Sequence, residues 1–269
     1  MKKIVLITRT WCGKNANKNN YDKDLNFFIK KIHRELDRII VLINIKEETN
    51  NHTRNLLKKS YKNIANRFEI VDVKPWGDAS GAFNIGLTKA FNHEEKPDQI
   101  LIASPEVNLD KNNIKTMSQE LIKNPNMLVV GYTLEAYTDN DYQFKGCEKG
   151  HNLVSRYEVY KTPWNTCAMW DAKKFSKYVG TFNILCDCPK YLGTVKSIPL
   201  QGMEDTLAMA LAQKNCSNLE IGIIKKPLPW KVKKERIEKH INKMKRKQLV
   251  YKEYQKIFKL NSINNIKEL

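Results

Sequence analysis

Four times between Lys3 and Ile122 a short, mostly apolar run is followed by an amphipathic one. No other feature narrows the fold as far. The apolar runs are Lys3 to Ile7, Ile39 to Ile43, Ile70 to Val73 and Gln99 to Ala103. Each is too short for a helix, so each reads as a strand buried on both faces. Between them lie helical stripes: Leu25, Phe28, Ile29, Ile32 and Leu36; then Leu57, Tyr61, Ile64 and Phe68; then a helix over about residues 81 to 91; then Ile114, Met117, Leu121 and Ile122. This alternation predicts an α/β fold with a mostly parallel central sheet flanked by helices. Ligands of such sheets bind beyond the carboxyl ends of the strands. The residues to watch are therefore Thr8 and Arg9, Asn44, the loop Lys74 to Asp78, and Ser104 to Glu106. None of these places carries G-x-G-x-x-G or P-loop spacing, which argues against a dinucleotide fold and a P-loop NTPase.

The rhythm changes after Leu128. A strand, Met127 to Tyr137, is followed by a polar section, Thr138 to Asn152. Strand-like segments come next, around Arg156 to Tyr160 and Asn165 to Trp170, then a short helix, Ala172 to Tyr178. A loop rich in Cys, Pro and Gly leads to Gln201-Gly202-Met203-Glu204-Asp205-Thr206 and an apolar helical run, Leu207 to Leu211. Acidic residues in a first helical turn complement its free N–H groups. Spacing alone therefore leaves helix capping and catalysis evenly matched for Glu204 and Asp205.

With 269 residues, 41% hydrophobic and 28% charged, the chain has ample material for a packed soluble domain. The apolar run after Met1-Lys2-Lys3 is too short for a signal peptide. A cytoplasmic protein is expected, with a peripheral place at the inner face of a membrane left open. The net charge of +18 is uneven: from Lys225 onward, 15 Lys and Arg stand against 4 Asp and Glu. Pro227-Leu228-Pro229-Trp230 is expected to stop the preceding strand. A helical tail should follow, with Ile237, Ile241, Met244, Tyr251, Tyr254 and Phe258 on one stripe. The favoured reading is a helix packed on the domain under a solvated basic surface; the other is an interfacial helix on anionic lipid. Cys12, Cys147, Cys167, Cys186, Cys188 and Cys216 form no C-x-x-C pair and read as reduced thiols, with zinc on Cys147, Cys186 and Cys188 the minor alternative.

Gly81-Ala82-Phe83-Asn84-Ile85-Gly86-Leu87, then Ala90 and the strand at 99–103, resembles the central signature of family-2-type GT-A glycosyltransferases. There a G-A-x-N-x-G helix runs into a strand that ends in a metal-binding acidic motif. Trp164-Asn165-Thr166-Cys167-Ala168-Met169-Trp170, with Phe175 and Gly180, resembles the segment before the family's E-D motif, and Glu204-Asp205 is similar to that motif. The resemblance covers roughly residues 1–215. It implies a GT-A-type, Rossmann-like sheet with a donor half at about 1–130, a mixed acceptor half at about 131–226, and a basic helical tail at 227–269.

The resemblance also implies an activity: transfer of a hexosyl group, with inversion, from a UDP- or GDP-sugar to a hydroxyl on a glycan, lipid or protein. Asp205 would be the general base, with Glu204 beside it. A hydroxyl is too weak an acid to ionise alone, so a positioned carboxylate must take its proton as the new bond forms. Thr8, Arg9, Asn44, Asp78, Asn84, Ser104 and Glu106 would bind the donor, and Trp164, Asn165 and Thr166 the acceptor. Glu106 would hold Mn2+ or Mg2+ against the leaving diphosphate.

Two departures from the family pattern matter. Ser104-Pro105-Glu106 stands where Asp-x-Asp is expected, and Asn44 where an Asp usually reads the base. Metal dependence is thus open between two readings: Glu106 alone suffices, or Arg9, Lys74 or a C-terminal Lys supplies the charge. The competing reading is a nucleotide-sugar or glycan binding protein without turnover. A nucleotidyltransferase would bring a Gly- and Lys-rich loop after the first strand, and Thr8 to Lys14 is not one. Nucleic-acid binding lacks any reading motif. At single positions, Asn84 and Gly86 also read as helix-packing residues, Trp164, Trp170 and Cys167 as core, His151 as a solvated loop residue, and Trp76 as a ligand contact.

Overall fold

The computed structural model describes residues 2–9, 18–44, 49–74, 79–137, 162–183, 194–195, 198–199, 203–231 and 249–269. Strands β1 (Ile4–Arg9), β2 (Arg38–Asn44), β3 (Phe68–Val73), β4 (Gln99–Ala103), β5 (Met127–Tyr137), β6 (Cys167–Asp171), β9 (Glu220–Lys231) and β10 (Ile266–Glu268) form one sheet, ordered β10-β9-β5-β6-β4-β1-β2-β3. A small hairpin, β7 (Thr194–Val195) and β8 (Ile198–Pro199), is a second sheet. The main helices are α1 (Lys18–Ile32), α2 (Thr49–Ser60), α3 (Ala79–Phe91), α4 (Lys111–Lys123), α5 (Ala172–Lys174, continued as a π-turn over Phe175–Val179) and α6 (Glu204–Asn215). Residues 249–257 are also helical.

The expected parallel sheet is there, with one exception that shapes the site. β6 lies antiparallel between β4 and β5, while the other pairings are parallel. The chain therefore enters β6 at the edge where β1, β2 and β4 end. Residues just before β6 meet residues just after β4.

The continuous apolar strands explain the two-sided core, because successive side chains point to opposite faces. Val5, Ile7, Ile40, Leu42, Ile100 and Ile102 pack with α3, α6 and the 249–257 helix. Leu6, Ile39, Val41 and Leu101 pack with Leu25 and Ile29 of α1, Leu57 of α2, and Ile114 and Met117 of α4. Gly86 of α3 is a packing residue: a Cβ there would sit 2.7 Å from Cγ2 of Ile7, so the helix could not lie this close to β1. Cys167 is 1% exposed, and burial pushes its thiol up to about 12, so it is core. The cysteines Cys12, Cys147, Cys186 and Cys188 lie outside the described residues.

The C-terminal region corrects one expectation. β9 runs through Pro227 and Pro229 rather than stopping before them. Proline removes one N–H, which a sheet tolerates at a bulge or an unpaired edge. Both conditions hold here. The β5–β9 register slips between Tyr132/Ile224 and Leu134/Leu228, and β10 pairs only as far as Ile223. The division expected between 226 and 227 thus falls inside a strand, and β10 extends the same sheet. Tyr251 and Tyr254 of the last helix are buried in the main core, whereas Ile237, Ile241 and Met244 lie outside the described residues. Among the described residues no helix is long and apolar enough to cross a membrane.

Candidate active site

The acidic pair opens α6, and the chain reaches it through a backbone conformation few residues adopt. Met203 is left-handed at φ 67° and buried, a state that costs about 1–2 kcal/mol in a residue with a side chain. Such strain persists only where the surroundings enforce it, and it concentrates at functional sites. Asp205, 4% exposed, accepts from the Thr206 N–H at 2.7 Å and the Thr206 hydroxyl at 3.3 Å on Oδ1. Its Oδ2 accepts from the Asn165 N–H at 2.9 Å. The Thr206 N–H is one that the helix itself cannot pair. Asp205 therefore caps its own helix, and it also ties α6 to the segment before β6. Glu204, beside it, is half-buried.

That segment is held on three sides. Thr166 O accepts from the Ser104 N–H at 2.9 Å, which joins it to the loop after β4. Oδ1 of Asn165 accepts from Nε1–H of Trp170 at 3.1 Å. Gly131 on β5 allows the close approach, since a Cβ there would meet Pro163 Cβ at 2.4 Å and Cys167 O at 2.7 Å. Thr162 meets Thr206 hydroxyl to hydroxyl at 3.4 Å.

Glu106 sits in the turn after β4, where its N–H donates to Ser104 Oγ at 3.4 Å. Its Oε2 faces Nε1–H of Trp230 at 3.5 Å. Trp230 stands edge-to-face with Trp164, ring centroids 6.4 Å apart. The end of β9 is fixed there because Asn108 N–H donates to Pro229 O at 2.8 Å and Trp230 bridges Val107. Trp164 is thus half-buried in an aromatic pair at the site edge, while Trp170 is fully buried core.

The sheet therefore brings Ser104, Glu106, Trp164, Asn165, Thr166 and Asp205 into one bonded set. Thr8, Arg9 and Asn44 lie on the same edge of the sheet, at the ends of β1 and β2. Oγ1 of Thr8 is fully buried with no partner among the described residues. The Arg9 guanidinium lies over the Phe83 ring, 5.5 Å from its centroid, and Asn44 is buried. Asp78, Trp76 and His151 lie outside the described residues.

Asn84 has a structural partner within the protein. Its Nδ2 donates to Phe182 O and its Oδ1 accepts from Phe182 N–H, both at 2.8 Å, so the amide clamps α3 to the chain after α5. Asn84→Ala is accordingly expected to cost about 1–3 kcal/mol of stability by stranding both backbone groups. The variant's melting-temperature rise on adding a nucleoside diphosphate should equal that of the unaltered protein. A folded variant that lost this rise would return Asn84 to the donor pocket.

Met203, Thr162, Thr206 and Trp230 are site residues that pattern reading does not single out. Only Trp230 left a signal, an aromatic residue closing Pro-Leu-Pro, and there the prolines pointed the other way. As for a metal, no group of three His, Cys, Asp or Glu lies together among the described residues. Mg2+-type ions commonly use one or two carboxylates plus substrate phosphates. Glu106, one carboxylate in contact with an indole, is not a metal centre by itself.

No protein-family model and no curated protein matches the sequence. The sheet and its flanking helices are those of the GT-A glycosyltransferase fold. A mannosyltransferase from Pyrobaculum calidifontis, solved with GDP-Man and Mn2+, superposes with a TM-score of 0.61 at 11% identity, over 98% of this chain and 66% of that one. GalNAc-T7, solved with UDP, GalNAc and Mn2+, gives 0.51 at 9% identity, over 86% of this chain and 43% of that one. The chain thus spans about two thirds of the first protein and less than half of the second.

Proposed function

We propose that this chain is a glycosyltransferase of the family-2-like kind, moving a hexosyl group from a UDP- or GDP-sugar to a hydroxyl on a glycan, lipid or protein, with inversion. The observation that carries the reading is Asp205. A buried carboxylate, fixed by three hydrogen bonds at a strained helix start, stands where the chain before β6 meets the loop after β4. The likeness in fold to a mannosyltransferase solved with GDP-Man and to GalNAc-T7 solved with UDP and GalNAc supports it. Asp205 takes the proton of the acceptor hydroxyl, and Glu204 lies beside it. Arg9, Thr8, Asn44, Ser104 and Glu106 face the donor, with Arg9 and Lys74 offering positive charge to its diphosphate; Asp78, outside the described residues, keeps its assignment as a donor-binding residue. Trp164, Asn165 and Thr166 face the acceptor. If a divalent cation takes part, Glu106 would hold it together with the donor's phosphates.

A thermal-shift panel of UDP, GDP, CDP and dTDP, each with and without Mn2+ or Mg2+, tests the donor side. A ligand that binds only the folded state raises the melting temperature with its occupancy. One of the four should give a clear rise, and the difference made by metal measures what Glu106 holds. No rise with any nucleotide would contradict a nucleotide-sugar site.

A further inference from the structure

Two loose ends remain in the hydrogen-bond set around Asp205, and they are complementary. The first is on Asn165. An indole N–H can only donate, so the atom facing Trp170 must be Asn165 Oδ1, which fixes which way round the amide sits. Its Nδ2 is thereby turned away from Trp170, and it is buried with no partner among the described residues. Native interiors leave few polar atoms unpaired, since each costs as much as a lost hydrogen bond. The second loose end is on Asp205. A carboxylate offers about four acceptor positions. Oδ1 receives two donors and Oδ2 one, so among the described residues a position on Oδ2 is unused. That oxygen is the one bonded by Asn165's own N–H. Asn165 is 5% exposed and Asp205 4%.

We propose that Asn165 Nδ2 and Asp205 Oδ2 together seat the nucleophilic hydroxyl of the acceptor. The inference rests on the glycosyl-transfer reading and adds a selection rule to it. The hydroxyl donates its proton to Oδ2, and one oxygen lone pair accepts from Nδ2. The second lone pair forms the bond to the anomeric carbon. The bond from that carbon to the diphosphate oxygen breaks, its electron pair leaves with the diphosphate, and the hydroxyl proton passes to Asp205. A neutral amine has a single lone pair. It cannot accept from Asn165 and attack with the same pair, so the seat selects oxygen nucleophiles over amines.

The test uses the full chain with GDP- and UDP-sugars. Trifluoroethanol and trifluoroethylamine, both neutral at pH 8, serve as matched small acceptors. Asn165→Asp keeps the oxygen facing Trp170 and exchanges only the Nδ2 donor; Asn165→Ala removes the whole amide. The unaltered protein should glycosylate the alcohol at least about tenfold faster than the amine. Each variant should lower kcat for the alcohol roughly 10- to 100-fold, the factor carried by one buried hydrogen bond, with the donor KM unchanged. Variants that keep the nucleotide-induced thermal shift and still transfer to the alcohol at the original kcat would overturn the proposal, as would equal use of the amine. A protein that releases no nucleoside diphosphate from any donor fails at the earlier step, and the seat falls with the glycosyl-transfer reading.

Discussion

Asp205→Asn should lower glycosyl transfer by about 10²–10⁴-fold, the range that a positioned general base contributes, while nucleoside diphosphates still bind. The substitution removes the buried carboxylate assigned to take a proton from the attacking hydroxyl. It also disturbs the fold locally, and the amount can be anticipated. Donors reach both carboxylate oxygens, from Asn165 on one side and Thr206 on the other. Whichever way an asparagine amide turns, its NH2 meets an N–H instead of accepting from it. A stability loss of about 1–3 kcal/mol is therefore expected alongside the kinetic loss. Assays belong well below the lowered melting temperature, with the nucleotide thermal shift as proof of folding. Retained turnover in a folded variant would remove Asp205 from the chemistry and leave it as a helix cap.

A chain cut after residue 226 should not fold cooperatively. The cut removes part of β9, all of β10 and the 249–257 helix, and with them Val250, Tyr251 and Tyr254 at 0% exposure, Leu260 at 8% and Ile263 at 6%. Burying such a side chain contributes about 1.5–3 kcal/mol, and a whole domain is stable by only about 5–15 kcal/mol. Losing five of them removes most or all of the margin. The fragment is expected to show no sigmoidal melt by circular dichroism. A fragment melting like the full chain would make the C-terminal region a separable tail after all.

These two cases show where the sequence was legible. β1, β2 and β4 were readable because a strand buried on both faces writes itself as an apolar run, and Ile39 to Ile43 can hardly be anything else; β3, at the sheet edge with Asp72 exposed, is written less plainly. α1 and α4 followed from their stripes, whereas the stripe Leu57, Tyr61, Ile64 and Phe68 runs past the end of α2 through a 3-10 stretch into the first residue of β3. β9 was misread at its end because Pro227 and Pro229 are local signals of termination, whereas the bulge against β5 and the short reach of β10 are properties of the assembled sheet. Asn84 shows a different limit. An amide inside a helix has the same spelling whether it meets a ligand or a distant backbone, and Phe182 is too far along the chain to be suspected. Asp205 sat between cap and catalyst on spacing alone. The structure shows the cap, and the bond to Asn165 adds a long-range partner that no periodicity encodes. The left-handed Met203 was equally hidden, because a methionine carries no turn signal.

Release of nucleoside diphosphate from UDP- and GDP-sugars measures most directly whether this site transfers sugars from a nucleotide carrier. The unaltered protein should release it from at least one donor, faster when a hydroxyl acceptor is present, and Asp205→Asn should reduce that release to background. No release from any donor, or equal release by the unaltered and Asp205→Asn proteins, would contradict the account.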